Sequence, residues 1–456
     1  MNAITPASAP AHADSDAHLD MLAALSARLL DSALARGADQ AEVSCSEDTG
    51  LNVNVRMGEV ETVESTRDRG IAVTVYFNGR KGSASTADLR DDSLAATVEQ
   101  ACAIARYTEH DPAAGLADAE LMATDLREFD SWHPWEISAD QAIDLALACE
   151  QAGRDVDPRL ENSDGASVGS GSSLSVYANS HGFVGRERST QHSLGCALIA
   201  GRGEDMQRDG WYSIALAAEG LESPAAIGRK AAERAISRLA PRQIPTGEYP
   251  VLFSAEIARS LVGHLLGAVS GGALYRRASF LLDSVGTQLF PDWFAIKEQP
   301  FLPRGFRSSS FDAEGVATRE SALVAGGILQ RYVLGSYSAR RLGLQTTANA
   351  GGVHNLQVTA NAGDQRSMLA GMGRGLLVTE LMGQGVNNIT GDYSRGAAGF
   401  WIEDGQIQYP VDGITIAGNL KSMFAAIEAV GSDVDARSHI RTGSILVGKM
   451  TVAGES

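Results

Sequence analysis

Residues 376–420, LLVTELMGQGVNNITGDYSRGAAGFWIEDGQIQYPVDGITIAGNL, commit this part of the chain to β-structure. The apolar run 376–381 reads as a strand. It enters a polar loop, 382–396, which holds glycines together with Asn387, Asn388, Thr390, Asp392, Tyr393, Ser394 and Arg395. Residues 397–403 and 406–411 then flank Asp404-Gly405, a pair suited to a type I′ hairpin because both central residues must take positive φ. A long polar loop between rigid strands is a common seat of binding or chemistry, although clusters of Gly, Asn and Asp also make plain turns.

A chain of 456 residues exceeds what one core supports and predicts two to three domains. The net charge of −18 excludes a phosphate-tracking nucleic-acid binder and disfavours docking on an anionic membrane. No apolar run approaches the length of a membrane span. Cys45, Cys102, Cys149 and Cys196 form no CxxC pair, so they read as reduced core or semi-buried thiols of a cytoplasmic protein. The opening MNAITPASAPAHADSDAH lacks the basic and apolar regions of a signal peptide, and residues 1–18 are expected to be a disordered tail.

Leu22, Leu25, Leu29 and Ala33 recur at helical spacing ahead of Gly37. Alternating stretches follow, and Asn78-Gly79 closes a hairpin between 71–77 and KGSAST. Further helices are predicted at 91–106, at 139–152 behind a Ser138/Gln141 capping box, and from Ser223-Pro224 to about 239. Strands return between 172 and 216, while 108–138 has little periodicity and reads as a surface wrap. Residues 19–240 therefore form an α+β domain with an antiparallel sheet.

APRQIPTGE, at 240–248, places a linker over 241–249. Beyond it, residues 250–456 form a glycine-rich domain like a β-barrel or sandwich, with few helices. One helix starts at Ser254 with Ile257, Leu261, Leu265 and Ala268 on one face and ends at Gly271-Gly272. Another starts at Asn419 and runs to Gly431.

Motifs that suggest catalysis are weak. GASVG at 165–169 matches a nucleophile elbow in letters only, since no buried strand precedes it and no helix follows, so it reads as a Gly/Ser turn. GMGRG at 371–375 precedes a strand and not a helix N-terminus, so it reads as a turn and not a phosphate cradle. There is no HExxH, and the nine histidines are scattered. His264, at i+3 from Leu261 in the predicted apolar helix, reads first as a core residue.

FSAEIARSLVGHLLGAVSGG (253–272), ASFLLDSVG (278–286), SSFDAEGVAT (309–318), VTELMGQGVNNITGDYSRGAAGFWIEDG and TIAGNL (415–420) together resemble the TldD/PmbA family, and within it the PmbA (TldE) branch. The resemblance implies an α+β domain followed by a β-barrel-like domain. It also implies a cytoplasmic TldD–TldE heterodimer that trims unfolded peptides as a zinc metallopeptidase. The zinc-bearing branch carries HExxxH on a helix and a third ligand, a cysteine, near the C-terminus. On that pattern Arg259 stands at the first histidine, Ser260 at the glutamate, and only His264 remains. No cysteine follows Cys196, and Gly431-Ser432 lies near the third-ligand position.

One imidazole does not hold Zn²⁺, a cation at a ligand position repels it, and a serine hydroxyl is no general base for metal-bound water. The expectation is thus a non-catalytic subunit that binds no metal or cofactor, with zinc in a TldD-like partner and a homodimer open to the chain alone. Glu380, Asn387, Asp392, Tyr393 and Ser394 are its candidates for contacting peptide or partner, by strand addition. Two rival readings are a non-enzymatic modulator of a toxin–antitoxin or gyrase system, and recruitment of another metal through His264 with acidic residues distant in sequence.

Overall fold

The structure, a computed structural model, describes residues 9–454. The N-terminal half carries α1 (Ala9–Ala35), β1 (Gln40–Arg56), β2 (Glu59–Phe77), β3 (Arg80–Thr86), α2 (Asp91–Tyr107), α3 (Ala139–Arg154), β4 (Asn162–Asn179), β5 (Val184–Ala200), β6 (Gln207–Ala215) and α4 (Pro224–Ser237). Its strands pair antiparallel in the order β3-β2-β1-β4-β5-β6. Because side chains alternate across a strand, the apolar positions of β1 and β4 lie on one face. Both ends of that face are used: α1 and α2 cover Val43, Cys45, Val73 and Val176, whereas α3 and α4 cover Val53, Val55, Val168 and Leu198. All four cysteines are buried free thiols.

Local signals in this half act as the sequence predicts. Asn78 and Gly79 take φ of 44° and 71°, as the tight hairpin requires. Ser138 and Gln141 form both hydrogen bonds of a capping box, and Ser223 caps α4 with Pro224 behind it. Three readings are corrected. Residues 9–18, expected as tail, belong to α1, and residues 1–8 lie outside the described residues. GASVG is not a turn but part of β4, where Gly165 (φ 102°) sits at a bulge. Residues 108–138 do more than wrap the surface: Ala123 N–H donates to Gly315 O at 3.0 Å and Arg340 donates to the Leu116 carbonyl at 2.5 Å, so the segment straps the two halves together.

The C-terminal half comprises β7 (Gly247–Phe253), α5 (Ala255–Val269), α6 (Gly271–Tyr275), β8 (Ile296–Glu298), β9 (Ser321–Ala325), β10 (Ile328–Leu329), α7 (Ser336–Leu342), β11 (Leu356–Val358), α8 (Gln365–Met372), β12 (Gly375–Met382), β13 (Asp392–Glu403), β14 (Gln406–Asn419), α9 (Leu420–Ala425), β15 (Ile427–Val430), β16 (Ile440–Arg441) and β17 (Ile445–Ala453). Five strands run β14-β13-β12-β7-β17, and β14 also pairs with β17, which closes them into a barrel-like ring. A second sheet of short strands, β10-β9-β8-β11-β16, lies beside it. The chain is α+β throughout, with an antiparallel N-terminal sheet and a barrel-like C-terminal one. Two boundaries differ from expectation. Residues 247–249 of the predicted linker are already in β7, and the last predicted helix stops at Ala425, where the β-branched Ile427 enters β15. No helix among the described residues is long and apolar enough to cross a membrane.

A chain of alternating charges joins the halves. Asp209 of β6 pairs with Arg234 (2.9 Å) and Arg238 (3.2 Å) of the α4 region. Arg238 reaches on to Glu380 of β12, and Arg234 to Glu256 of α5 at 2.9 Å. Arg437 lies 3.7 Å from Glu256, pairs with Asp435 at 2.9 Å, and stacks 4.0 Å from the Trp211 ring centre. Arg259 closes the series 3.9 Å from Asp435. Burial alone would raise the Asp435 carboxyl, but hydrogen bonds and charge from Arg437 hold it below the usual range.

Asp209→Asn strips one carboxylate from two largely buried arginines and is expected to cost about 3 kcal/mol, read as a lower urea midpoint; a loss under about 0.5 kcal/mol would show the network to be no stronger than surface pairs. Gly228→Ala would press a Cβ into the Cys149 carbonyl where α3 and α4 touch, and a loss of about 1–3 kcal/mol is expected in the same assay.

Candidate functional site

Helix α5 follows β7 directly, with Ser254 at its start and Ala258, Leu261, Val262, Leu265 and Ala268 buried. The Ser254 backbone N–H donates to Val378 O at 3.0 Å, which fixes the helix entry to β12. Three residues of α5 stand at the positions where the resemblance would place the metal motif. Arg259 is turned toward the N-terminal half, where it donates weakly to the Tyr212 hydroxyl (3.4 Å) as well as facing Asp435. The Ser260 hydroxyl donates back to Ile257 O at 2.6 Å, so it is spent on its own helix.

His264 stacks edge-on against Tyr393 with ring centres 5.8 Å apart, and its buried Nε2 has no hydrogen-bond partner among the described residues. Burial, assisted by the nearby Arg395 cation, lowers the His264 pKa and keeps the ring neutral.

These residues do not fit a zinc ion. The single imidazole packs against an aromatic ring near a guanidinium, the position of the other helix ligand carries a cation, and the hydroxyl at the general-base position is spent on its own helix. Among the described residues no three of His, Cys, Asp or Glu are grouped to hold a metal.

The loop between β12 and β13 docks beside α5 and α6. Asn388 donates to Ala278 O at 2.9 Å, and its carbonyl accepts from Phe280 N–H at 2.9 Å. Asn387 holds the turn from within, its side-chain oxygen accepting from Ile389 N–H at 2.9 Å. Asp392 accepts from the Thr390 hydroxyl (2.6 Å) and from Asn419 (3.2 Å), and these bonds lower its pKa, so it is anionic at neutral pH. The Ser394 N–H donates to Gly385 O at 2.7 Å. Together with Arg276 these segments line an open groove of about 680 Å³.

The sequence-predicted residues thus separate into three groups. Asn387, Asp392 and Ser394 line the groove. Glu380 does not; Arg238 engages it in the charge network. Tyr393 does not either, and its assignment as a surface contact is corrected. Strand alternation turns it inward beside His264, it is 1% exposed, and burial pushes its hydroxyl up to about 12, against the pull of Arg395. Arg276, which lines the groove from the end of α6, was missed, because an arginine pair behind a short helix carries no spacing signal.

Comparisons with known proteins agree with this architecture. Three family models match successive parts of the chain. They are the PmbA/TldA metallopeptidase domain 1 over residues 41–105, the central domain over 132–239 and the C-terminal domain over 246–454. The chain is 50% identical to metalloprotease PmbA of Escherichia coli O157:H7, covering 92% of this chain and 93% of that protein. It is 46% identical to a PmbA homologue of Haemophilus influenzae, covering 91% and 92%.

Among solved structures, a candidate modulator of DNA gyrase from Bacteroides thetaiotaomicron superposes with a TM-score of 0.90 at 27% identity, covering 94% of this chain and 98% of that one. TldE of Thermococcus kodakarensis shares the fold with a TM-score of 0.83 at 20% identity, covering 94% and 100%. The chain belongs to the PmbA/TldD metallopeptidase family, on its PmbA-type branch.

Proposed function

We propose that this chain is the non-zinc subunit of a cytoplasmic two-chain metallopeptidase, holding unfolded peptide while a TldD-like partner supplies the zinc and cleaves. One observation carries the reading: on α5 the residues at the motif positions do structural work, while the loop beside them forms a groove. Arg259 serves the junction between halves, Ser260 its own helix and His264 the packing of Tyr393.

The groove offers groups that an extended peptide uses. Arg276 faces peptide carbonyls or a carboxylate, Asp392 stands as a fixed anion, and Ile389, 60% exposed, gives an apolar contact. Asn387 and Asp392 are tied into the loop, so they shape it before the peptide arrives, and less ordering entropy is lost on binding. The groove is also a surface that a partner subunit can complete into a chamber.

Purified alone, the chain is expected to hydrolyse no unfolded peptide, and to do so only when mixed with a relative bearing intact HExxxH. Chelator-sensitive hydrolysis by the lone chain would overturn the reading. A pull-down separates it from the regulatory alternative: a stable complex with the HExxxH-bearing relative supports the peptidase role, and a homodimer that captures only a regulatory target refutes it.

Within the reconstituted pair, Arg276→Ala and Ile389→Asp are each expected to weaken capture of a fluorescent unfolded peptide about tenfold, near 1.4 kcal/mol. His264→Phe, which keeps the apolar contact with Tyr393, is expected to leave hydrolysis by the pair within about twofold; a loss of 1.4 kcal/mol or more in transition-state stabilisation would place His264 in the chemistry.

A further inference from the structure

The helix-free face of the N-terminal sheet meets C-terminal segments across a second, larger cavity of about 860 Å³. Its floor is polar for a sheet surface: Ser44, Ser46, Ser173 and Ser175 line it, opposite Arg307, Ser309, Asp312 and His354. Most ionisable groups there are committed. Arg188 pairs with Asp16 at 2.7 Å and Arg186 with Asp20 at 2.5 Å. The Asp312 carboxylate accepts backbone N–H bonds from Glu314, Val316 and Ala350 at 2.9–3.0 Å. His354 Nδ1 is held by Glu298 at 3.1 Å.

Two groups of opposite charge remain. Among the described residues the Glu187 carboxylate is bonded only to the Ser309 hydroxyl, and Arg307 donates its guanidinium only to the Gly351 carbonyl at 3.2 Å. Neither forms an ion pair among the described residues, and both line the cavity. The Arg307 and His354 charges act on Glu187, opposing the rise in pKa that burial imposes. Opposite charges that feel one another across open space without pairing are complementary to a ligand carrying both signs at its two ends.

We propose that this cavity binds a small zwitterion, an α-amino acid or short peptide, with its ammonium on Glu187 and its carboxylate on Arg307. The serine floor supplies hydroxyls that accept or donate to the intervening amides. The site stands apart from the loop groove and does not depend on the peptidase reading. A free amino acid and a di- or tripeptide share this chemistry and differ in reach by about 3.3–3.6 Å per residue.

Calorimetric titration of the purified chain at low salt with L-alanine, Ala-Ala and Ala-Ala-Ala distinguishes these lengths. One of them is expected to saturate, and its N-acetylated and C-amidated forms to bind at least about tenfold more weakly. Glu187→Gln is expected to erase the preference for a free ammonium, and Arg307→Met that for a free carboxylate. Absence of saturation by all three up to about 10 mM overturns the proposal. So does equal binding of blocked and free forms by the unsubstituted chain, a result that requires no variant to fold.

Discussion

Charge compensation between the two halves is the constraint on which the arrangement turns. Asp209, Glu256, Glu380 and Asp435 face Arg234, Arg238, Arg259 and Arg437, four carboxylates against four guanidinium groups. Removing such groups from water is costly unless each finds a partner of the other sign, so the contact tolerates little sliding. It fixes the α4–β6 region against α5, and α5 in turn sets one wall beside which the β12–β13 loop lies. The planar guanidinium of Arg437 fits both the Asp435 carboxylate and the Trp211 ring, a dual role a lysine would fill poorly.

In this setting the departure of α5 from a metal-binding pattern has a physical meaning beyond loss. A histidine at position 259 would lack the reach and fixed charge that place Arg259 opposite Asp435. A carboxylate at 260 would replace a hydroxyl that satisfies its own helix. These side chains of the helix serve the contact between the halves, within a C-terminal domain that matches the family model.

Much of the architecture was legible because its signals are local. The Asn78-Gly79 and Asp404-Gly405 hairpins, the Ser138 capping box and the Ser223-Pro224 start depend on a few adjacent residues, and each forms. What escaped depends on distant partners. Tyr393 reads as a loop residue, yet strand alternation carries it inward against His264, more than a hundred positions earlier. Glu380 reads as a free strand end until α4 brings Arg238 to it. The serines of β1 and β4 look like ordinary exposed positions, and only the fold shows them flooring a cavity. GASVG failed as a turn for a related reason: glycine in a long central strand marks a bulge as readily as a reversal.

The ring of β7, β12, β13, β14 and β17 carries a consequence for how the chain acquires its structure. β7 opens the C-terminal half, and its neighbours on either side are β12 and β17, the latter formed by residues 445–453. The N-terminal sheet is built largely from sequential antiparallel neighbours, whereas the barrel pairs segments separated by most of the C-terminal half. Loop-closure entropy makes such distant pairing slow. During synthesis the N-terminal sheet can therefore assemble while β7 and α5 still wait for their far strand. The barrel strand that α5 follows gains its second neighbour only once residues 445–453 are made.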